Sequence, residues 1–345
     1  MQYRTNLYDR LHQYESKFID FNGWDMPISF SGTLKEHDMV RNNSGFFDVS
    51  HMGRFLIDKD DIDVLSTLIC GDIVNKNLGT ALYTMILNEE GGIIDDIIIW
   101  KFEQKLILIC NASNMEKVKD WFDQNKLKHK YLNEGTSLVA IQGPKVIKKL
   151  EKYIDIPNHF ECKQNKAEFL NKEFMIARTG YTGEDGIEIM LEDGDDASLI
   201  DLLDKLSILP CGLGSRDTLR LEASLPLYGQ ELTESVTPIE VGFKWIVDFS
   251  HNFIGKEILK EQINSKEHKF LKKFIIDERI VARSGDKAYS GQINGVVTSG
   301  NYSPKLKKSI GFVLFDSNPK TNSIKINIRD KFINGQIIKG KFIGA

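Results

Sequence analysis

Two adjacent carboxylates lie in an otherwise apolar segment, residues 91–100, which reads GGIIDDIIIW. Two glycines followed by large apolar residues predict a turn that leads into a β-strand, as in a hairpin. Because side chains alternate along a strand, Asp95 and Asp96 would point to opposite faces. Whichever face is buried places a carboxylate among isoleucines, where it must be neutralised, paired or used. The alternative is a strand that frays, with both acids in water.

A second acid lies in the segment RTGYTGEDGIEIM, residues 178–190. Its glycines allow a backbone to approach a ligand closely. In the strand that follows, Glu188 lies on the face opposite to Ile187 and Ile189. A carboxylate there could bind the amidine-like edge of a guanine or pterin ring through paired hydrogen bonds. The alternative is a solvated hairpin acid.

Residues 212–223, GLGSRDTLRLEA, predict a helix with Ser215 as its N-cap. Arg216 and Arg220 would lie one turn apart on one face of that helix. Two arginines, with the free amides and positive dipole end of the first turn, suit a carboxylate or a polar ring. The alternative is that they pair with acids inside the helix.

His51 and Met52, in the sequence VSHMG, are weak signals by themselves. A lone histidine is more often a packed or surface residue than a catalyst. Methionine usually fills a core, although it can also lie flat against an aromatic ligand.

Strands and helices alternate at short spacing up to about residue 260, which predicts an α+β fold. Beyond residue 265 the pattern changes to short strands, a separate β-barrel or sandwich. These strands are predicted at residues 296–298, 310–315, 323–328 and 335–342. The lysine-rich segment 260–273 would be the crossing. We therefore expect a first region at residues 1–260 and a barrel domain at residues 261–345.

The composition is that of a globular protein in water, with 41% hydrophobic and 27% charged residues among 345. No run approaches the roughly 18 apolar residues of a membrane span. The N-terminus has no signal-peptide core, so we expect a cytoplasmic protein, or a mitochondrial-matrix one in a eukaryote. The four cysteines and seven histidines are dispersed, and they predict neither disulfides nor a metal site.

The net charge of −4 is unevenly distributed. From His251 onward there are 18 lysines and arginines against 8 aspartates and glutamates. This asymmetry predicts an anionic ligand or an acidic partner near the basic region, although chance is an equally good explanation. No nucleic-acid motif accompanies the lysines, so nucleic-acid binding is not expected.

Taken together, these segments resemble the aminomethyltransferase family, the T-proteins of the glycine cleavage system. The matching blocks, in family order, are DFNGWDMPISF at 20–30, FFDVSHMG at 46–53, ALYTMILNEEGGIIDD at 81–96, ICNASNMEK at 109–117, AIQGP at 140–144, RTGYTGEDGIEIM at 178–190, CGLGSRDTLRLEASLPLYGQEL at 211–232, TPIEVGFKWIV at 237–247, FIGKE at 253–257 and TSGNYSPKLKKSIGFVL at 298–314. The resemblance extends from about residue 3 to about residue 343.

The resemblance implies a folate-binding T-protein fold. It has two interleaved α+β domains with ferredoxin-like elements and a C-terminal β-barrel, around a central channel. Tetrahydrofolate would be the co-substrate, with no metal. The partner would be lipoylated H-protein, whose aminomethyl group is transferred to give 5,10-methylenetetrahydrofolate, ammonia and dihydrolipoyl H-protein.

The resemblance also implies roles for individual residues. Asp96 matches the key carboxylate near the reacting folate nitrogens, whereas Asp95 would point the other way and serve the turn or a backbone amide. Glu188 matches the acid that holds the pterin ring, and Arg216 a substrate-contacting arginine. The residues that match the folate pocket are Met52, Tyr83, Asn111 and Tyr181.

Two other functions stay open at this point. One is a folate-dependent demethylase of the same fold, since a fold does not determine function. The other is a non-catalytic folate-binding protein of iron–sulfur assembly. That group carries a cysteine in a K-G-C-x-x-G-Q-E block, whereas residues 252–257 here read NFIGKE.

One departure from the family is at the C-terminus. Lys341 replaces the usual proline before Phe342, and the sequence ends at Ala345. Contacts of the extreme C-terminus with folate are therefore in doubt.

Overall fold

A computed structural model describes residues 2–192 and 194–343. Contacts between Cα atoms divide the chain into two compact units, and the chain enters each unit more than once. The first unit comprises the residues up to Leu65, together with Ile73–Tyr83 and Ile97–Leu219. The second unit comprises Ser66–Asp72, Thr84–Asp96 and the chain from Arg220 onward. The units are therefore interleaved in sequence.

The helices form where apolar residues recur every three or four positions. In one of them Val118 and Phe122 are both buried, four residues apart, so that a single face enters the core. The α-helices are α1 Tyr8–Leu11, α2 Thr33–Asn42, α3 Ile62–Leu68, α4 Met115–Gln124, α5 Val146–Leu150, α6 Asp196–Lys205, α7 Leu213–Glu222 and α8 Lys256–Ser265. No helix among the described residues is long and apolar enough to cross a membrane.

The strands alternate with these helices up to α8 and then follow one another. They are β1 Lys17–Phe21, β2 Trp24–Ser29, β3 Gly45–Asp48, β4 Gly53–Asp58, β5 Ala81–Leu87, β6 Ile93–Lys101, β7 Lys105–Cys110, β8 Lys130–Tyr131, β9 Thr136–Gln142, β10 Cys162–Asn165, β11 Phe174–Ala177, β12 Gly186–Glu192, β13 Leu209–Pro210, β14 Phe270–Ile276, β15 Lys287–Ser290, β16 Ile293–Ser303, β17 Lys308–Phe315, β18 Ser323–Ile328 and β19 Lys331–Ile338.

A six-stranded sheet of order β10-β11-β12-β9-β3-β13 forms the centre of the first unit. Its pairs are antiparallel except for β13 with β3. Both faces are covered. Ile187 and Ile189 of β12 pack in a core with Phe46, whereas Met190 packs in a different core with Phe47. This division follows from the two-residue period of a strand.

A five-stranded sheet has the order β5-β6-β7-β4-β8. Ile98 lies opposite Ile109, and Trp100 lies opposite Ile107. Strands β5 and β6 both cross the boundary between the units. They do so after Tyr83 and after Asp96 respectively.

The turn between β5 and β6 requires its glycines. Asn88 N donates to the Gly92 carbonyl at 2.9 Å, and the Asn88 side chain accepts from Gly92 N at 2.7 Å. Gly91 has a φ of +75°, which favours glycine. A Cβ on Gly92 would lie 1.8 Å from the Glu234 carbonyl oxygen. The predicted glycine turn between two strands is therefore present.

The second unit contains a closed barrel of order β14-β17-β16-β15-β18-β19. Strand β14 closes it by pairing with both β17 and β19. The core inside the second unit includes Phe274, Val297, Val313, Phe315 and Ile326. The predicted α+β class with a C-terminal β-barrel is confirmed, whereas the boundary at residue 260 stays a prediction.

Two barrel strands, β14 and β15, were not predicted from the sequence. The segment 260–273, expected to be a crossing, contains the end of α8, a connection at residues 266–269 and the first residues of β14. The adjacent lysines Lys272 and Lys273 concealed the strand, because Phe274 and Ile276 alone carry its buried face.

Near the C-terminus, Phe342 is buried in a small core with Leu221, Ile310 and Phe312. Its backbone N–H donates to Ser224 Oγ at 3.0 Å. The phenylalanine therefore has a packing role without the preceding proline. The last two residues, Gly344 and Ala345, lie outside the described residues.

Candidate functional site

Glu188 is a buried carboxylate in the middle of β12. It lies opposite Ala140 of β9 and Ala177 of β11, two small residues that leave room beside it. Its side chain is on the face that carries Met190, as the alternation predicted, and the residue is only 8% exposed. Thr179 Oγ1 donates to Glu188 Oε2 at 2.5 Å. The alternative of a solvated hairpin acid is therefore wrong.

The side chain of Gln142 fixes the loop between β11 and β12 through hydrogen bonds. The Gln142 Nε2 donates to the Thr179 carbonyl at 3.1 Å, and Oε1 accepts from Thr182 Oγ1 at 2.9 Å. A Cβ on Gly180 would lie 1.9 Å from Gln142 Oε1, so glycine is needed there. Tyr181 lies within this constrained turn.

Arginines fasten the same loop at two further points. Arg178 makes a two-pronged ion pair with Asp185, at 3.0 and 2.7 Å. The Arg41 Nη1 donates to the Thr182 carbonyl at 2.6 Å, and Nη2 donates to the Leu219 carbonyl of α7 at 2.8 Å. Arg41 thus ties the turn that carries Tyr181 to the helix that carries the next site residue.

Arg216 lies in the second turn of α7, beside two aromatic rings. Its Cζ is 5.0 Å from the centroid of the Tyr181 ring and 5.9 Å from that of Phe47. Its Nη1 is buried and has no hydrogen-bond partner. Burial lowers the pKa of Arg216, and the negative charge of Glu188 opposes that shift. A buried N–H without an acceptor is costly, so the group is suited to a ligand oxygen.

The beginning of α7 differs from the prediction. The helix starts at Leu213, and Ser215 lies inside its first turn, where Oγ donates to the Gly212 carbonyl at 2.8 Å. Ser215 is therefore not the N-cap. The Gly212 N–H is not free either, because it donates to Glu36 Oε2 at 2.8 Å. The chain supplies its own carboxylate at this helix end.

The two arginines of α7 do not act together. Arg220 belongs to the second unit, is 3% exposed, and donates to Glu231 at 3.0 Å. Arg216 alone of the pair lies with Glu188 and Tyr181. The expectation of a double-arginine anion site is therefore wrong.

His51 and Met52 form a turn after β3 that Arg54 holds in place. The buried guanidinium of Arg54 donates to the carbonyls of Ser50 and Met52 at 2.8 and 2.9 Å. Met52 packs against the core that contains Phe47. His51 is 6% exposed, its Nδ1 has no hydrogen-bond partner, and burial lowers its pKa to about 3, helped by the charges of Arg216 and Arg54. The imidazole is therefore neutral at physiological pH.

Neutral burial of His51 predicts a loss of stability in acid. Its folded-state pKa of about 3 is below the ordinary value of 6.5, so the unfolded chain binds the proton more tightly. The stabilisation is complete above pH 6.5 and declines as the pH falls towards 3. Between pH 7 and pH 5 we expect the wild type to lose about 2 kcal/mol more unfolding free energy than His51→Gln.

Urea unfolding of the wild type and His51→Gln at both pH values measures this difference. His51→Asn provides a second variant without an ionisable ring. Equal losses in the wild type and in both variants would contradict the neutral, buried imidazole.

The remaining predicted residues lie on other elements. Tyr83 is the third residue of β5, and Asn111 directly follows β7; both are partly exposed and belong to the first unit. Asp96, on β6, belongs to the second unit. Asp95 is completely buried, whereas Asp96 is partly exposed. The fraying alternative, with both acids in water, is wrong.

Cys70, Cys110, Cys162 and Cys211 are all buried, and none of these four is in a disulfide bond. Over residues 2–192 and 194–343, no group of three or more His, Cys, Asp or Glu side chains could hold a metal ion.

Comparison with known families shows which family this chain belongs to. The sequence model of the GCVT N-terminal domain matches residues 7–251, and that of the glycine cleavage T-protein C-terminal barrel domain matches residues 269–343. The chain belongs to the glycine cleavage T-protein family. The predicted family is therefore confirmed.

Relatives match this chain over nearly their full length. The aminomethyltransferase of Thermosipho melanesiensis is 40% identical over 349 residues, which cover 98% of this chain and 96% of the relative. That of Bacillus subtilis is 37% identical over 360 residues, covering 98% of each. The crystal structure of glycine cleavage system aminomethyltransferase T from Bartonella henselae has a TM-score of 0.90 and 27% identity, covering 99% of this chain and 98% of that one.

These relatives confirm the predicted enzyme class, an aminomethyltransferase of the family that uses tetrahydrofolate as a substrate. Neither of the two alternatives, a demethylase or a non-catalytic folate-binding protein, is supported by these relatives.

Sequence reasoning missed the residues that hold the site in place. Gln142, Thr179 and Arg41 act through contacts that span 9 to 178 positions of sequence. Only the density of glycines around Thr179 indicated a constrained turn.

Proposed function

We propose that the chain transfers a one-carbon unit from the aminomethylated lipoyl arm of H-protein to tetrahydrofolate. The products are 5,10-methylenetetrahydrofolate, ammonia and dihydrolipoyl H-protein. The observation that supports this most directly is a fixed, buried carboxylate, Glu188, together with Arg216, whose Nη1 lacks an acceptor. A pterin ring presents N–H donors for the first and a carbonyl acceptor for the second.

In this proposal Glu188 holds the pterin edge by charge-assisted hydrogen bonds, and Arg216 donates to the substrate. Tyr181, stacked against the Arg216 guanidinium, adds an aromatic surface. Met52, Tyr83 and Asn111 contribute further folate contacts, assigned by family resemblance.

Asp96 is assigned the role of the carboxylate near the reacting nitrogens. The N5 amine of tetrahydrofolate attacks the methylene carbon as the bond between that carbon and the departing ammonia breaks. Closure onto N10 then breaks the carbon–sulfur bond. Of the two protons lost from N5 and N10, one leaves with ammonia and the other with the lipoyl sulfur. A negative group stabilises the iminium-like charge that develops during these steps, and Asp96 acts in this way and by orienting the folate more than as a proton shuttle.

One assay tests the proposed function. The purified protein is mixed with tetrahydrofolate and aminomethyl-loaded H-protein, and ammonia and methylenetetrahydrofolate are measured together. Equal amounts of the two products are expected. A methylated amine or sulfonium donor is the control, and turnover of that donor in place of H-protein would favour the demethylase.

The basic C-terminal region leads to a salt prediction. From His251 onward, the excess of 18 cationic over 8 anionic side chains would attract the glutamate tail of folate or an acidic face of H-protein. Raising NaCl from about 50 to about 300 mM shortens the Debye length by a factor of about 2.4, so the apparent KM for one of the two should rise several-fold. Steady-state kinetics with each substrate varied in turn would show this. No change in either KM would contradict the proposal.

We further propose a cytoplasmic location and no nucleic-acid or membrane partner, in agreement with the composition.

A further inference from the structure

The carboxylate of Glu188 receives one side-chain hydrogen bond from the described residues, from Thr179 Oγ1. An ionised carboxylate only accepts, and a hydroxyl can rotate to donate, so the direction of this bond is determined. Its donor–acceptor distance of 2.5 Å is in the range of short, charge-assisted bonds. The orientation of the Glu188 carboxylate therefore depends on where Thr179 is held.

Thr179 has little freedom to move. It is 8% exposed, and its carbonyl accepts from Gln142 Nε2 at 3.1 Å. Gln142 is completely buried, and its own Oε1 accepts from Thr182. The next residue, Gly180, packs so tightly on Gln142 that a Cβ there would displace the Gln142 amide. These contacts fix the position from which the Thr179 hydroxyl donates to Glu188.

The charge of Arg216 also interacts with the Glu188 carboxylate, whose negative charge opposes the lowering of the Arg216 pKa by burial. Without the hydrogen bond from Thr179, the carboxylate could turn towards this guanidinium and satisfy its free Nη1. Such a collapsed ion pair would occupy both groups and leave neither available for a ligand.

We propose that Thr179 is a positioning residue: its hydroxyl keeps the Glu188 carboxylate directed at the pterin ring and apart from Arg216, and thereby sets the affinity for tetrahydrofolate. This inference rests on the pterin-binding role of Glu188 in the proposed function. Thr179 touches neither the reacting carbon nor the nitrogens in this scheme, so its loss affects binding far more than the chemical step.

The main test compares Thr179→Val, which keeps the branched shape, with Thr179→Ser, which keeps the hydroxyl. Thr179→Val should raise KM for tetrahydrofolate about 10- to 100-fold with kcat within about threefold of wild type, the range for a lost hydrogen bond to a charged group. Thr179→Ser should restore KM to within about threefold of wild type. If Thr179→Val does not fold, Thr179→Ala replaces it.

Thr182→Val is the matched control in the same loop. Thr182 is completely buried and donates to Gln142, not to Glu188. Its loss should lower the melting temperature with a much smaller rise in KM. Equal rises in KM for Thr182→Val and Thr179→Val, or no rescue by serine, would reduce Thr179 to a structural residue and overturn the inference.

Glu188→Gln and the double variant separate the inference from the proposed function. A raised KM in Glu188→Gln, with no additional rise in Thr179→Val/Glu188→Gln, shows that Thr179 acts through Glu188. A raised KM in Glu188→Gln with additive or absent effects of Thr179→Val overturns the inference alone. An unchanged KM in Glu188→Gln overturns the pterin-binding role of Glu188, and with it the inference.

Discussion

Asp96→Asn is expected to lower kcat by about 100- to 1,000-fold, the usual cost of removing one preorganised electrostatic group from a reacting centre. Asparagine keeps the size and polarity of the side chain but removes the negative charge that would stabilise the iminium-like carbon. The dissociation constant for tetrahydrofolate should change much less. Single-turnover measurements with pre-loaded H-protein separate the chemical step from binding.

Asp95→Asn is the matched control, one residue away on the same strand. Asp95 is completely buried, whereas Asp96 is partly exposed, so the two substitutions should differ in kind. Asp95→Asn should lower the melting temperature and leave the kcat of the folded fraction near that of the wild type. Near-full turnover in Asp96→Asn would refute the electrostatic role.

The second large effect concerns stability. Glu231→Gln should cost about 3–5 kcal/mol of unfolding free energy in the second unit, because it removes the negative charge that pairs with the buried guanidinium of Arg220. Arg220 and Glu231 are 3% and 0% exposed. Glu231 also accepts from Thr298 Oγ1 at 2.5 Å and from Leu227 N at 3.0 Å, so the loss reaches strand β16 and the segment after α7.

Urea unfolding, followed by a probe in the barrel, measures this loss. The control is Glu257→Gln, which removes an exposed ion pair with Lys260 on α8 and should leave the unfolding midpoint unchanged. If Glu231→Gln changed the unfolding midpoint as little as Glu257→Gln does, the ion pair between Arg220 and Glu231 would contribute little to stability. Replacing both Arg220 and Glu231 by apolar residues should recover part of the loss.

The alternation rule predicted the two most informative features of the site from sequence. It placed Asp95 and Asp96 on opposite faces, and their exposures differ as a result. It also placed Glu188 opposite to Ile187 and Ile189, and these two isoleucines do enter a different core from Met190, which shares the face of Glu188. Both results depend only on local strand geometry.

Features that depend on distant partners were not predictable in the same way. Nothing near Gly212 in sequence reveals that Glu36 accepts its N–H, so the helix start appeared open to a ligand. The spacing of Arg216 and Arg220 correctly indicates one helix face. It does not indicate that Glu231, eleven residues further on, takes Arg220. Strand β14 was missed because its lysines conceal a short buried face.

The interleaving of the two units has a consequence for biosynthesis. Residues 66–72 and 84–96 emerge from the ribosome early, yet their compact unit is complete only when the chain beyond Arg220 has been made. The glycine turn is an example, since Ile93 N donates to the carbonyls of Thr233 and Val236. Strand β6 pairs with β5 and β7, which are also made early, but the bonds from its turn to Thr233 and Val236 must wait for most of translation. Neither unit can be obtained by a single cut of the gene, so we expect that chains truncated at one end do not fold as either complete unit.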